Sequence, residues 1–83
     1  MSKELLKAAK ISIGEFATLA GVSRVTASLW VNKHAKPHDL HKEKIAALWT
    51  NIQYSVNNGA LPIMANSRAA KIEKLSELLG VRP

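Results

Sequence analysis

Between residues 23 and 36 the chain reads SRVTASLWVNKHAK, a stretch made of groups that bind rather than transform. Arg24 carries the only guanidinium in it. A guanidinium donates two parallel bonds to guanine O6 and N7, worth about 1–3 kcal/mol of discrimination, or to a phosphate instead. Ser23, Thr26, Ser28 and Asn32 are short polar side chains. All four suit phosphate oxygens, contacts that set register without reading sequence, with Ser23, Thr26 and Asn32 assigned to the phosphates and Ser28 to the base edges. Ser23 also reads as a helix cap, and both roles are compatible. If this stretch is a helix that turns Ala27, Trp30 and Val31 inward, then Arg24, Val25, Ser28 and Leu29 share its outward face with Asn32. Val25 and Leu29 can meet thymine methyl groups, the apolar feature of the major groove. The alternative is a rotated helix with Leu29 packed inside. Lys33 and Lys36, with His34, follow the helix and are placed for a neighbouring phosphate. Each phosphate neutralised steepens the log–log salt dependence of binding by about 0.9.

Other chemistries find little support. His38 and His41 are three apart, and His34 lies nearby, but no cysteine is present and the only acids beside them are Asp39 and Glu43. Such a set would straddle a loop, so no metal and no cofactor are expected. No nucleophile–base arrangement, paired carboxylates or glycine-rich phosphate loop can be picked out, so no enzymatic activity is expected.

The elements that would position Arg24 begin upstream. Ser12 and Glu15 form an S-x-x-E capping box, which marks a helix start. Ile13, Phe16, Ala17 and Ala20 follow at helical spacing, and Gly21 supplies positive φ for a tight turn. Ser23 caps the next helix. The pattern predicts helices over Lys3–Lys10, about Ile13–Leu19 and about Arg24–Lys33. Leu5, Leu6 and Ala9 cover the core from the first of them. Pro37 breaks the chain in the loop Lys33–His38. A fourth helix is predicted from near Asp39 to about Asn57, with Ile45, Leu48, Trp49, Ile52 and Val56 as its buried stripe and Asn58-Gly59 as its stop. Asn66 or Ser67 caps a fifth helix ending near Leu79, with Gly80 as the residue that closes it. Its inner stripe reads Ala69, Ile72, Leu75, Ser76 and Leu79, and its outer face Lys71, Glu73, Lys74 and Glu77.

Twelve Lys and Arg stand against six Asp and Glu, giving +6 and a pI near 10.0, which favours a polyanionic partner. Six bases meet two acids up to Lys36, and six meet four from Pro37 on, so most of the field lies with the Arg24 half. Eighty-three residues without cysteine suit one small domain in a reducing, cytoplasmic setting. No apolar run approaches the roughly 20 residues of a membrane span. The opening MSKELLKAAK lacks the apolar core and cleavage site of a signal peptide.

The Ala17–Gly21–Ala27–Trp30 pattern resembles the helix-turn-helix of bacterial and phage repressors. In Cro-like and phage-repressor DNA-binding domains an alanine is likewise followed four residues later by a glycine and then by apolar positions on the second helix. The wording around Glu15, Ala17, Ala20, Gly21, Val22, Ser23, Thr26, Ser28, Val31 and Asn32 is also similar to lactose-repressor-type headpieces. The chain departs from the phage type at Ile13, where that type carries a backbone-clamping glutamine. The sugar-sensing domain of the lactose-repressor type is not expected here.

The resemblance implies an all-α, lambda-repressor-like or Cro-like fold of about five helices. Residues 1–58 would form the DNA-binding core, and 59–83 a C-terminal extension. It further implies a transcriptional regulator in a bacterial or phage-infected cell, a repressor bound to a palindromic operator on double-stranded DNA. A homodimer is expected because one small reading head has limited specificity, whereas two related by a two-fold axis read half-sites about one helical turn apart. Leu61, Ile63, Met64, Ile72, Leu75 and Leu79 are the expected interface, on the premise that their stripe lies outside the three-helix core. No small-molecule effector is expected. An antitoxin-like module whose tail wraps a protein partner, and an architectural, excisionase-type DNA binder, are the alternatives.

Overall fold

The computed structural model describes residues 3–32 and 39–81, with the backbone alone at 39–41. The chain is all-α there: α1 spans Lys3–Ala9, α2 Ile13–Ala20, α3 Arg24–Val31, α4 Asp39–Asn57 and α5 Arg68–Leu79. No strand occurs among the described residues. Lys33, Lys36, His34 and His38, and the side chain of His41, lie outside them.

Local chemistry sets the boundaries. The α2 capping box is formed in both directions, with the Ser12 N–H donating to Glu15 Oε1 at 2.8 Å and the Glu15 N–H to Ser12 Oγ at 3.1 Å. Ser67, not Asn66, caps α5, accepting from the Ala70 N–H at 3.1 Å. At the end of α2, Gly21 sits at φ 73°, and the N–H groups of Gly21 and Val22 return to the carbonyls of Thr18 and Ala17. This is a Schellman turn, in which a left-handed residue satisfies carbonyls the helix leaves open. The end of α1 makes the same bonds, from Lys10 to Lys7 and from Ile11 to Leu6, but with Lys10 at φ 54°. A side chain in that region is strained, because its Cβ crowds the backbone.

The largest fully buried side chains are Phe16, Leu19, Ile45, Leu48, Ile52, Leu75 and Leu79, contributed by α2, α4 and α5. Trp49 is half-buried and meets Phe16 edge to face, with ring centroids 5.7 Å apart. α1 packs on α4, α2 on α3, and α5 on both α2 and α4. The Asn51 amide donates to the Leu79 carbonyl at 3.1 Å, tying the end of α5 to α4.

Three expectations about the C-terminal segment change. Leu61, Leu75 and Leu79 are not outside the core. They belong to the same apolar cluster as Leu6, Phe16 and Leu48, at 3%, 0% and 2% exposure. Ile63 and Ile72 pack partly against that cluster, and Met64, at 82%, stands out in solvent. Ala69, placed in the inner stripe, is exposed, whereas Lys71, placed on the outer face, turns inward. The cause of the last is Glu15: its buried carboxylate needs a cation, and Lys71 Nζ reaches it at 3.0 Å.

Candidate nucleic-acid interface

The short α3 helix is held by one face. Ala27, Trp30 and Val31 are buried against the rest of the chain. That fixes the rotation of α3 and puts Arg24, Val25 and Leu29 on the opposite, exposed side, with Thr26, Ser28 and Asn32 half-buried at its edges. Val25 is 70% exposed and Leu29 41%, so the rotated-helix alternative with Leu29 inside does not hold.

The short polar side chains are ordered in pairs. Ser23 Oγ accepts from the Thr26 N–H at 3.1 Å, completing the cap, and its own hydroxyl donates to Thr26 Oγ1 at 2.9 Å. The Asn32 amide donates to Ser28 Oγ at 3.1 Å. The Ser23 proton is therefore spent inside the protein. The hydroxyl protons of Thr26 and Ser28 have no acceptor among the described residues beyond these pairs. A hydroxyl held as an acceptor on one side and free to donate on the other is prepared for an external oxygen.

Arg24 stands at the first turn of α3, the end that meets base edges when such a helix enters a major groove. It also lines an open depression of about 410 Å³ shared with Ser12, Gly14, Thr18 and Arg68. Two basic side chains that the sequence did not single out therefore lie near the α2–α3 pair. Arg68 comes from the start of α5. Lys44 comes from α4, and its Nζ lies 3.7 Å from where a Cβ on Gly21 would stand. The only signal for either in the sequence is its charge, because the contacts are long-range.

The α2–α5 seam behind this face is electrostatically closed. Burial alone would raise the Glu15 carboxyl. The Ser12 backbone bond and the Lys71 ammonium outweigh that and hold it below the usual carboxylate range. Lys71 Nζ also donates to the Lys10 carbonyl, so one side chain joins α5 to the start of the α1–α2 loop and to the first turn of α2.

Among the described residues, no group of three or more His, Cys, Asp or Glu side chains is placed to hold a metal ion. No helix there is long and apolar enough to cross a membrane. The chain matches no protein-family model, no curated protein and no solved structure.

Proposed function

We propose that the chain is a helix-turn-helix transcriptional regulator that binds double-stranded DNA sequence-specifically, acting as a repressor of the Cro-like phage or prophage kind. The observation that carries this reading is the two-sidedness of α3. One face is locked by Ala27, Trp30 and Val31, while the other presents Arg24, Val25 and Leu29 to solvent, with Ser28 half-buried at its edge, from a helix capped by Ser23. A reading helix requires a fixed rotation and an uncovered, donor-bearing outer face. The net charge of +6 supplies the sequence-independent part of binding.

In this reading Arg24 donates to a guanine edge, and Val25 and Leu29 meet thymine methyls. Ser28 adds a base-edge donor. Thr26 and Asn32 border the backbone, and Lys33 and Lys36, which follow in sequence, add phosphate contacts. Two copies act together on a palindromic operator. With Leu61, Leu75 and Leu79 occupied in the core, the surface left to the pairing from the expected set is Met64 with the half-buried Ile63 and Ile72.

The test is Arg24→Ala, assayed by competition between a duplex selected for tight binding and the same duplex with single guanines replaced. The variant is expected to fold normally and to lose discrimination at one position of each half-site, by about 1–3 kcal/mol. An unchanged preference at every position would remove Arg24 from the reading role.

A further inference from the structure

We propose that Arg68 is a phosphate-binding residue of the same interface, so that α5 contributes directly to holding DNA. The proposal rests on the DNA-binding reading above. Arg68 is the first residue of α5, and its guanidinium extends back over the first turn of α2. A Cβ at Gly14 would stand 2.7 Å from Arg68 Nη2 and 3.7 Å from its Cζ. A Cβ on residue 14 would push the guanidinium out of this position.

Gly14 is not required by its own backbone. Gly21, Gly59 and Gly80 occupy positive φ, and Gly14 does not. Glycine within a helix is less stable than alanine. What Gly14 supplies is room, and the group using that room is Arg68.

The charge around Arg68 is uncompensated. Arg68 and Arg24 line one open depression, and neither has a carboxylate partner among the described residues. The nearby carboxylate is Glu15, already engaged by Lys71 at 3.0 Å and by the Ser12 N–H at 2.8 Å. The start of α2 borders the same depression, and helix starts favour negative charge. Two guanidinium groups beside a helix start call for an anion. With α3 against a duplex, the anion within reach of this position is a backbone phosphate. A phosphate contact there would fix the docking angle of α3 without reading sequence.

The experiment is fluorescence-anisotropy titration of a random-sequence duplex across a series of salt concentrations, with wild type, Arg68→Ala, Arg68→Met and Lys74→Ala. Lys74→Ala removes one positive charge from an exposed site six residues further along α5. Arg68→Ala and Arg68→Met are each expected to weaken binding and to lower the log–log salt slope by about 0.9, the loss of one phosphate contact. Lys74→Ala is expected to leave the slope at its wild-type value. An unchanged slope in both Arg68 variants, or an equal loss in Lys74→Ala, would overturn the proposal while leaving DNA binding intact. Absence of any duplex binding by the wild type would instead overturn the DNA-binding reading, and this proposal with it.

Discussion

The α2–α5 seam and the outer face of α3 use the same kinds of side chain in opposite ways. In the seam, Glu15 is buried, bonded by the Ser12 N–H and paired with Lys71, which also reaches the Lys10 carbonyl. On the outer face of α3, Arg24 has no carboxylate partner among the described residues, and Val25 and Leu29 lie open to water. A satisfied polar seam fixes geometry, and an unsatisfied face is available to something else. The contrast is sharpest within α5 itself. Lys71 is folded into the seam, and Arg68, three residues earlier, is held over Gly14 facing out.

The largest break in this contrast comes from Lys71→Met. It leaves the Glu15 carboxylate without its cation, and a lost charged hydrogen bond costs about 1–3 kcal/mol. Chemical denaturation is expected to show that loss, whereas a midpoint equal to wild type would mean the seam holds nothing. Next in size is Lys10→Gly, which relieves the left-handed strain at the end of α1 and keeps the carbonyl that Lys71 bonds. It is expected to stabilise by about 1 kcal/mol, read as a rise in melting temperature. A fall would place the Lys10 side chain among the stabilising contacts.

Acidification gives a smaller, signed effect. Folding lowers the Glu15 pKa, so its contribution is complete above the ordinary carboxylate range and is lost as pH falls through the folded value. Stability of the wild type should therefore drop more steeply on acidification than that of Glu15→Gln. Parallel curves would contradict the depressed carboxyl. Smallest of all is Val25→Ser on the open face, expected within about 0.5 kcal/mol of wild type in stability. A substantial destabilisation would show that Val25 packs against the protein rather than standing open.

The five helices were legible from local signals. The Ser12–Glu15 box, the Ser23 cap, Gly21, Asn58-Gly59 and Gly80 each act within a few residues of where they stand. The stripe Ile45–Leu48–Trp49–Ile52–Val56 announced the buried side of α4 in the same way. What escaped was long-range. Ser12 and Glu15 declared a capping box, but nothing near them indicated that Glu15 would be buried and would draw Lys71 inward. An amphipathic stripe says that Leu75 and Leu79 need cover without saying whether the cover is a second copy or the same chain, and here it is α2 and α4. Lys10 ends α1 where a glycine would be expected, so the helix was bounded by a conformation its residue type does not advertise. On α3, spacing was enough to separate Ala27, Trp30 and Val31 from Arg24, Val25 and Leu29. Arg68 and Lys44 join that region only through the fold.

The most direct measurement is selection of duplexes bound by the intact chain from a random-sequence DNA pool. If α3 reads DNA in a paired arrangement, the pool converges on a palindromic site with half-sites about one helical turn apart. A pool that remains random after repeated selection, at salt low enough for the chain to bind, would contradict sequence-specific recognition.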